Sequence, residues 1–140
     1  MTEIKDMLTI IYTKLLANTT ISKLTLAGDG SHRITYFTSP DTADHDNLFV
    51  VIVPVGPPQP STSGSDANLN LEFTIQINVE SIDRLSRNIV AREIQNEMIA
   101  LGLNRLGGAQ NELDEFMTET NRFVDVRRYR GNTQLYDTNY

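Results

Sequence analysis

Leu69 to Glu80 reads LNLEFTIQINVE, and the reading of this stretch decides the fold. Leu69, Leu71, Phe73, Ile75, Ile77 and Val79 are apolar, and the intervening Asn70, Glu72, Thr74, Gln76, Asn78 and Glu80 are polar. Strand side chains alternate between faces, so a β-strand sorts these residues into one apolar and one polar side, which a helical period would mix. Such a strand reaches about 35 Å, long for one domain. Its apolar side needs a cover from the rest of the chain, and its polar side needs water or a polar neighbour.

Two amphipathic segments can supply the cover. In the first, Ile4, Met7, Leu8, Ile11 and Leu15 recur at three- and four-residue spacing, with Thr2 as N-cap and Asn18 near the end. Ile10, Tyr12 and Leu16 widen its apolar surface toward a second contact, either sheet or a neighbouring subunit. The second helix is capped by Ser81, runs to about Leu101 and stops at Gly102. Its expected buried side holds Ile82, Leu85, Ile89, Val90, Ile94, Met98 and Leu101. Arg84, Arg87, Arg92, Glu93 and Glu97 fall mostly elsewhere and read as a solvated charged face.

Ile21 to Phe37 reads as strand. ISKLTL alternates, RITYF is rich in β-branched and aromatic residues, and Gly28, Asp29 and Gly30 between them favour a turn, so a short hairpin is expected. Leu48 to Val55, LFVVIVPV, is apolar on both faces, as in a strand near the middle of a sheet or between a sheet and a partner, and Pro54 marks where pairing stops. Gly56 to Asn68 holds three of the five prolines and no large apolar residue, so alone it cannot offset the entropy of ordering. It is either a tolerated insertion or an arm that orders against another subunit. LDEFMT from Leu113 and RFVDVRRYRG from Arg122 form a hairpin around Glu119 to Asn121, and Asn132 to Tyr140 reads as an extended arm. The expected fold class is α+β over a single domain, residues 1–140: a mostly antiparallel sheet with two helices packed on one face, a long central hairpin and a C-terminal hairpin.

Composition narrows the function. At 140 residues the chain is large enough to fold around one core without staples. The absence of cysteine excludes disulfides, thiolate zinc sites and cysteine nucleophiles. A net charge of −6 argues against general phosphate-backbone binding. No apolar run approaches the roughly 20 residues of a membrane span, and the amino terminus does not read as a secretory signal. A soluble, intracellular protein with no membrane partner is expected.

Catalytic chemistry has little to build on. The glycines match neither phosphate-binding nor dinucleotide-binding spacing, and the only histidines are His32 and His45. Asp41, Asp44, His45 and Asp46 cluster, yet without the ligand spacing or terminal glutamate of a calcium loop. Ser61, Ser63 and Ser65 have no local base. No enzyme, cofactor or metal site is expected. Arg127, Arg128 and Arg130 with Tyr129 invite a nucleic-acid reading, but strand alternation splits the arginines between faces, and Asp114, Glu115, Glu119 and Asp125 lie close by. Cross-strand or intersubunit ion pairing accounts better for them. The expected interface residues are Pro57, Pro58, Pro60, Ser63 and Asp66 in the loop, with Arg127, Arg128, Tyr129 and Arg130 in the last strand. Asn70, Glu72, Thr74, Gln76 and Asn78 are expected to face a lumen or a neighbouring subunit.

Within this order of elements, ELDEFMTETNRFVDVRRYRG, Glu112 to Gly131, resembles the acidic-aromatic turn and basic closing strand of siphophage tail terminators, the tail-completion proteins of phages infecting Gram-positive bacteria. The resemblance implies a homo-oligomer, a hexameric ring that caps the tail tube and ends its polymerisation. It implies contacts with the major tail tube protein and a head-proximal connector protein, with genome DNA passing through the lumen. It also implies a place in the tail-neck region of the virion after assembly in the host cytoplasm. Neck connectors of similar size and fold are the alternative, and a small binding module with a pocket between sheet and helices is a further one.

Overall fold

The structure, a computed structural model, describes residues 5–27, 30–36, 48–55, 59–60, 71–107, 112–117, 122–132 and 138–139. In chain order these form β1 (Lys5–Asp6), α1 (Met7–Ala17), α2 (Thr19–Thr25), β2 (Ile34–Tyr36), β3 (Phe49–Pro54), β4 (Gln59–Pro60), β5 (Leu71–Ser81), α3 (Arg84–Ala100), β6 (Asn104–Arg105), β7 (Glu112–Met117), β8 (Arg122–Asn132) and β9 (Thr138–Asn139).

β5 is the centre of the sheet, and its alternation holds: Phe73, Ile75, Ile77 and Val79 are buried, while Glu72, Thr74, Gln76, Asn78 and Glu80 are half-buried. β3 pairs antiparallel along one edge, from Phe49 opposite Glu80 to Pro54 opposite Ile75. β8 pairs antiparallel along the other through ten consecutive positions, from Glu72 opposite Asn132 to Ser81 opposite Phe123. The main order is β2-β3-β5-β8-β6, with β4 added to β5 and β7 added to β8. The closing hairpin therefore pairs within its own sheet. β2 runs parallel to β3, and a separate pair joins β1 to β9, also parallel.

All three helices among the described residues contribute to one core. Met7, Ile11 and Leu15 of α1, Ile21 of α2, and Val90, Ala91, Ile94 and Met98 of α3 cluster with Val50, Ile52, Phe73, Ile75, Ile77, Val79 and Tyr129 of the sheet. Burying each large apolar side chain stabilises the fold by about 1.5–3 kcal/mol, so this cluster is what sets α1, α2 and α3 on the apolar side of β5. The architecture is α+β, with the expected central and C-terminal hairpins.

α1 begins at Met7, after Lys5–Asp6 in β1, so the helix expected from an N-cap at Thr2 starts later; Thr2 and Ile4 lie outside the described residues. Two further expectations change. ISKLTL is not a strand: Thr19–Thr25 is the helix α2, so three helices rather than two cover the sheet. Asn18 ends α1 and starts α2, its Oδ1 accepting from the amides of Thr20 and Ile21 at 3.0 and 3.1 Å. Ile21 and Thr25, one helical turn apart, are both buried. The reversal that follows does exist, with Gly30 at φ 91° and an isolated antiparallel bridge between Leu26 and His32. Its first arm is a helix end, so no hairpin forms, and β2 pairs with β3 instead.

The second change is the rotation of α3. Its N-cap is Asp83, whose carboxylate accepts from the Ser86 amide at 3.2 Å, while Ser81 closes β5. The buried stripe is Arg87, Val90, Ala91, Ile94 and Met98. Arg87 is thus inside, not on a solvated face, and Ile82 and Leu85 are 53% and 66% exposed. The expected stop holds: Gly102 has φ 92°, and the Leu103 amide bonds back to the Met98 carbonyl at 3.0 Å while both side chains are buried, the αL ending that favours glycine.

Candidate assembly interface

β8 carries arginines to both sides of the sheet because its register with β5 is fixed along its whole length. On the helix side, Phe73, Ile75, Ile77 and Val79 stand opposite Gly131, Tyr129, Arg127 and Asp125. On the other side, Thr74, Gln76, Asn78 and Glu80 stand opposite Arg130, Arg128, Val126 and Val124.

The side away from the helices divides into two parts. At one end Arg122 is fully buried, its guanidinium 4.4 Å from the centre of the Phe49 ring and its Nε 3.8 Å from a Glu80 carboxylate oxygen. Phe49, Val51 and Val124 are buried there too. At the other end Arg128 Nε donates to Gln76 Oε1 at 3.0 Å, Gln76 Nε2 donates to Asn78 Oδ1 at 3.0 Å, and Arg130 is exposed. Glu72, Thr74, Gln76 and Asn78 are thus partly accessible and form a polar surface in which Gln76 links Asn78 to Arg128 of β8. Asn70 lies outside the described residues.

On the helix side, buried Arg87 donates to the Asp114 carboxylate, to the Val124 carbonyl at 3.0 Å and to Asn88 Oδ1 at 2.6 Å. The hydrogen bond from Arg87 holds the Asp114 carboxyl below its ordinary range. Asp125, buried 3.0 Å from Arg127 Nε, is pushed up by desolvation despite that neighbour. Burial raises Tyr129 to about 12. A buried pair of this kind specifies geometry more than it adds stability, because desolvation offsets much of the attraction.

Arg127 also reaches outward. Its Nη1 donates to Gln95 Oε1 at 2.8 Å, and Arg105 Nη1 donates to the same oxygen at 2.9 Å. Beside them lies a groove of about 360 Å³ lined by Leu85, Asn88, Ile89, Arg92, Gln95, Arg105 and Arg127.

The expected interface residues are therefore not one surface. Arg127 enters the groove, Arg128 and Arg130 belong to the opposite side, and Tyr129 is 1% exposed in the core, where it can reach no partner. Pro60 belongs to β4, opposite Leu71. Pro57, Pro58, Ser63 and Asp66, and the cluster Asp41, Asp44, His45 and Asp46, lie outside the described residues. Among the described residues, no three His, Cys, Asp or Glu side chains gather to hold a metal, and no helix is long and apolar enough to cross a membrane. Sequence reasoning missed the groove because it placed Leu85 in the core and Arg92 on a featureless charged face.

The class these features define is an α+β protein with one large, mostly antiparallel sheet, helices on one side and arginines on both sides of the interior strand β8. No family model matches the sequence, and no curated protein matches it. Among solved structures, the fold is similar to a chain in the virion of a native gene transfer agent particle, with 11% identity and a TM-score of 0.60 over 87% of this chain and 90% of that one.

Proposed function

We propose that this chain is a structural protein of a phage virion that forms a ring on the tail tube, ends tube polymerisation and provides the joint to the head connector. The observation that carries the reading is the likeness to a virion chain over nearly the full length of both, joined to the tail-terminator resemblance of Glu112–Gly131. The hexameric ring, the major tail tube protein, the head-proximal connector and passing genome DNA are its partners in this reading. The polar side of β5 and β8 suits a surface that meets either a neighbouring subunit or the lumen. The chain charge of −6 would let DNA slide through a lumen lined by its acidic residues, whereas a lining that carries Arg128 and exposed Arg130 would retain it, so the polar side of β5 and β8 suits the neighbouring subunit better.

Deleting the gene from its phage tests this. The expected result is tails of uncontrolled length beside filled heads, with normal particles restored by the wild-type chain supplied in trans. Normal-length tails that fail to join heads would move the protein to the neck, and fully normal particles would overturn both roles.

A further inference from the structure

We propose that the first two turns of α3 are a latch, fastened to the sheet by one buried side chain, Arg87, and that this latch opens as a unit while the rest of the fold stays closed. The inference goes beyond the ring reading and is independent of it.

α3 is held to the sheet in two different ways along its length. From Val90 onward its buried residues are Val90, Ala91, Ile94 and Met98, all members of the core cluster. From Arg84 to Ile89 the only buried residue is Arg87; Ser86, Asn88 and Ile89 are half-buried, and Leu85 is 66% exposed. The apolar side chains of this first part lose little contact when it leaves the sheet, so burial supplies little force to keep it there. What fastens it is the guanidinium. Arg87 Nη1 donates to the Asp114 carboxylate of β7 and, at 3.0 Å, to the Val124 carbonyl of β8, with the centre of the Phe123 ring 6.0 Å away. A buried ion pair stands near balance between attraction and desolvation, and the Asp114 side chain is 63% exposed, so water reaches the clasp from its carboxylate side.

The cap does not replace the clasp. The Asp83 carboxylate accepts from the Ser86 amide at 3.2 Å and from the Ser86 hydroxyl at 2.6 Å, bonds that wind the first turn without tying it to β7 or β8. Two turns released from the sheet are too short to stay helical in water, so opening means unwinding from Asp83 to about Val90. Leu85, Asn88 and Ile89, all on this part, line the groove beside Arg127. The groove therefore has this wall only while the latch is closed, and the clasp at Arg87 gates it.

Native-state hydrogen exchange on the full-length chain tests this. The amides from Arg87 to Val90 bond to carbonyls of the first part, Arg87 to Asp83 at 3.1 Å, and those from Gln95 to Met98 bond to carbonyls of the second. The first set should exchange roughly ten-fold or more faster than the second, with a weaker dependence on denaturant, as a sub-global opening requires. Asp114→Asn should speed both sets by the same factor, because the clasp is broken in the partial opening and in the fully unfolded chain alike. Ile94→Val should speed the second set only, since Ile94 stays packed when the latch opens. Equal rates with equal denaturant dependence in the unsubstituted chain would overturn the proposal, and so would a first set that ignores Asp114→Asn or responds to Ile94→Val. Tail length in the phage does not enter these readouts, so the latch and the virion role stand or fall separately.

Discussion

Gly131 is the residue where β5 and β8 come closest to a clash. A Cβ built there would lie 2.6 Å from the end of the Phe73 ring and 3.0 Å from Leu103, both buried. Gly131→Ala should therefore cost about 1–3 kcal/mol by overpacking, read as a lower urea midpoint with an unchanged slope. Gly131→Ala combined with Phe73→Leu should recover part of the loss. This glycine was legible in the sequence only as the end of a basic strand, because its need for space depends on a ring 58 residues earlier. Arg87 teaches the same lesson more sharply. Its charge identified it as solvated, but its partners Asp114 and Val124 are 27 and 37 residues away, and no local pattern reports them.

At the scale of elements, legibility followed the length of the pattern. Six alternations in Leu69–Glu80 leave no helical reading, so the strand, its faces and its hairpin with β3 were readable; the pairing of its other edge with β8 was not, because no local pattern reports so distant a partner. ISKLTL offers only three alternations, and Ile21, Leu24 and Thr25 satisfy helical spacing equally well. The deciding signal was Asn18, legible as a helix end but also the start of the next helix. Asn18 further donates from Nδ2 to Glu97 Oε2 at 2.9 Å, and Glu97 lies 3.6 Å from Lys14, so one side chain caps α2 and ties it to α3. Asn18→Ala should lower the melting temperature by roughly 3–8 °C, measured by circular dichroism. Asn18→Asp should keep the cap but set a carboxylate against Glu97, so Glu97→Gln in that background should recover part of the drop.

The whole molecule has a stability window set by groups pulling in known directions. Tyr129 has its folded value raised from 10.0 to about 12, so its contribution is complete below pH 10 and is lost as pH climbs toward 12, a loss of roughly 2–3 kcal/mol. Asp114 is lowered, so its contribution is present above its ordinary value of 3.8 and disappears as pH falls through its lower folded value. Asp125 is raised and acts oppositely, favouring the fold while protonated and ceasing to do so as pH rises through its folded value. Thermal melts from pH 3 to 12 should show a fall at each end; Tyr129→Phe should flatten the alkaline fall, and Asp114→Asn the acid one. An alkaline limb unchanged by Tyr129→Phe would assign that fall to another group. The site was less legible than the fold at this scale, since a groove is a relation between α3, β6 and β8 and no one segment carries it.

The pairing of β5 with β8 also has a consequence in time. The partners lie 42 to 60 residues apart, from Ser81 with Phe123 to Glu72 with Asn132. Such non-local contacts slow folding, because the intervening chain must be ordered before the contacts form. During synthesis, β5 emerges with one edge open until residue 132 has been added, roughly 3–10 seconds later at ordinary elongation rates. Through that interval a strand with a continuous apolar side has no partner on that edge. The nascent chain is then most exposed to aggregation, and α1 and α2, synthesised before β5, are the elements able to cover its apolar face first, with α3 following while the edge still waits for β8.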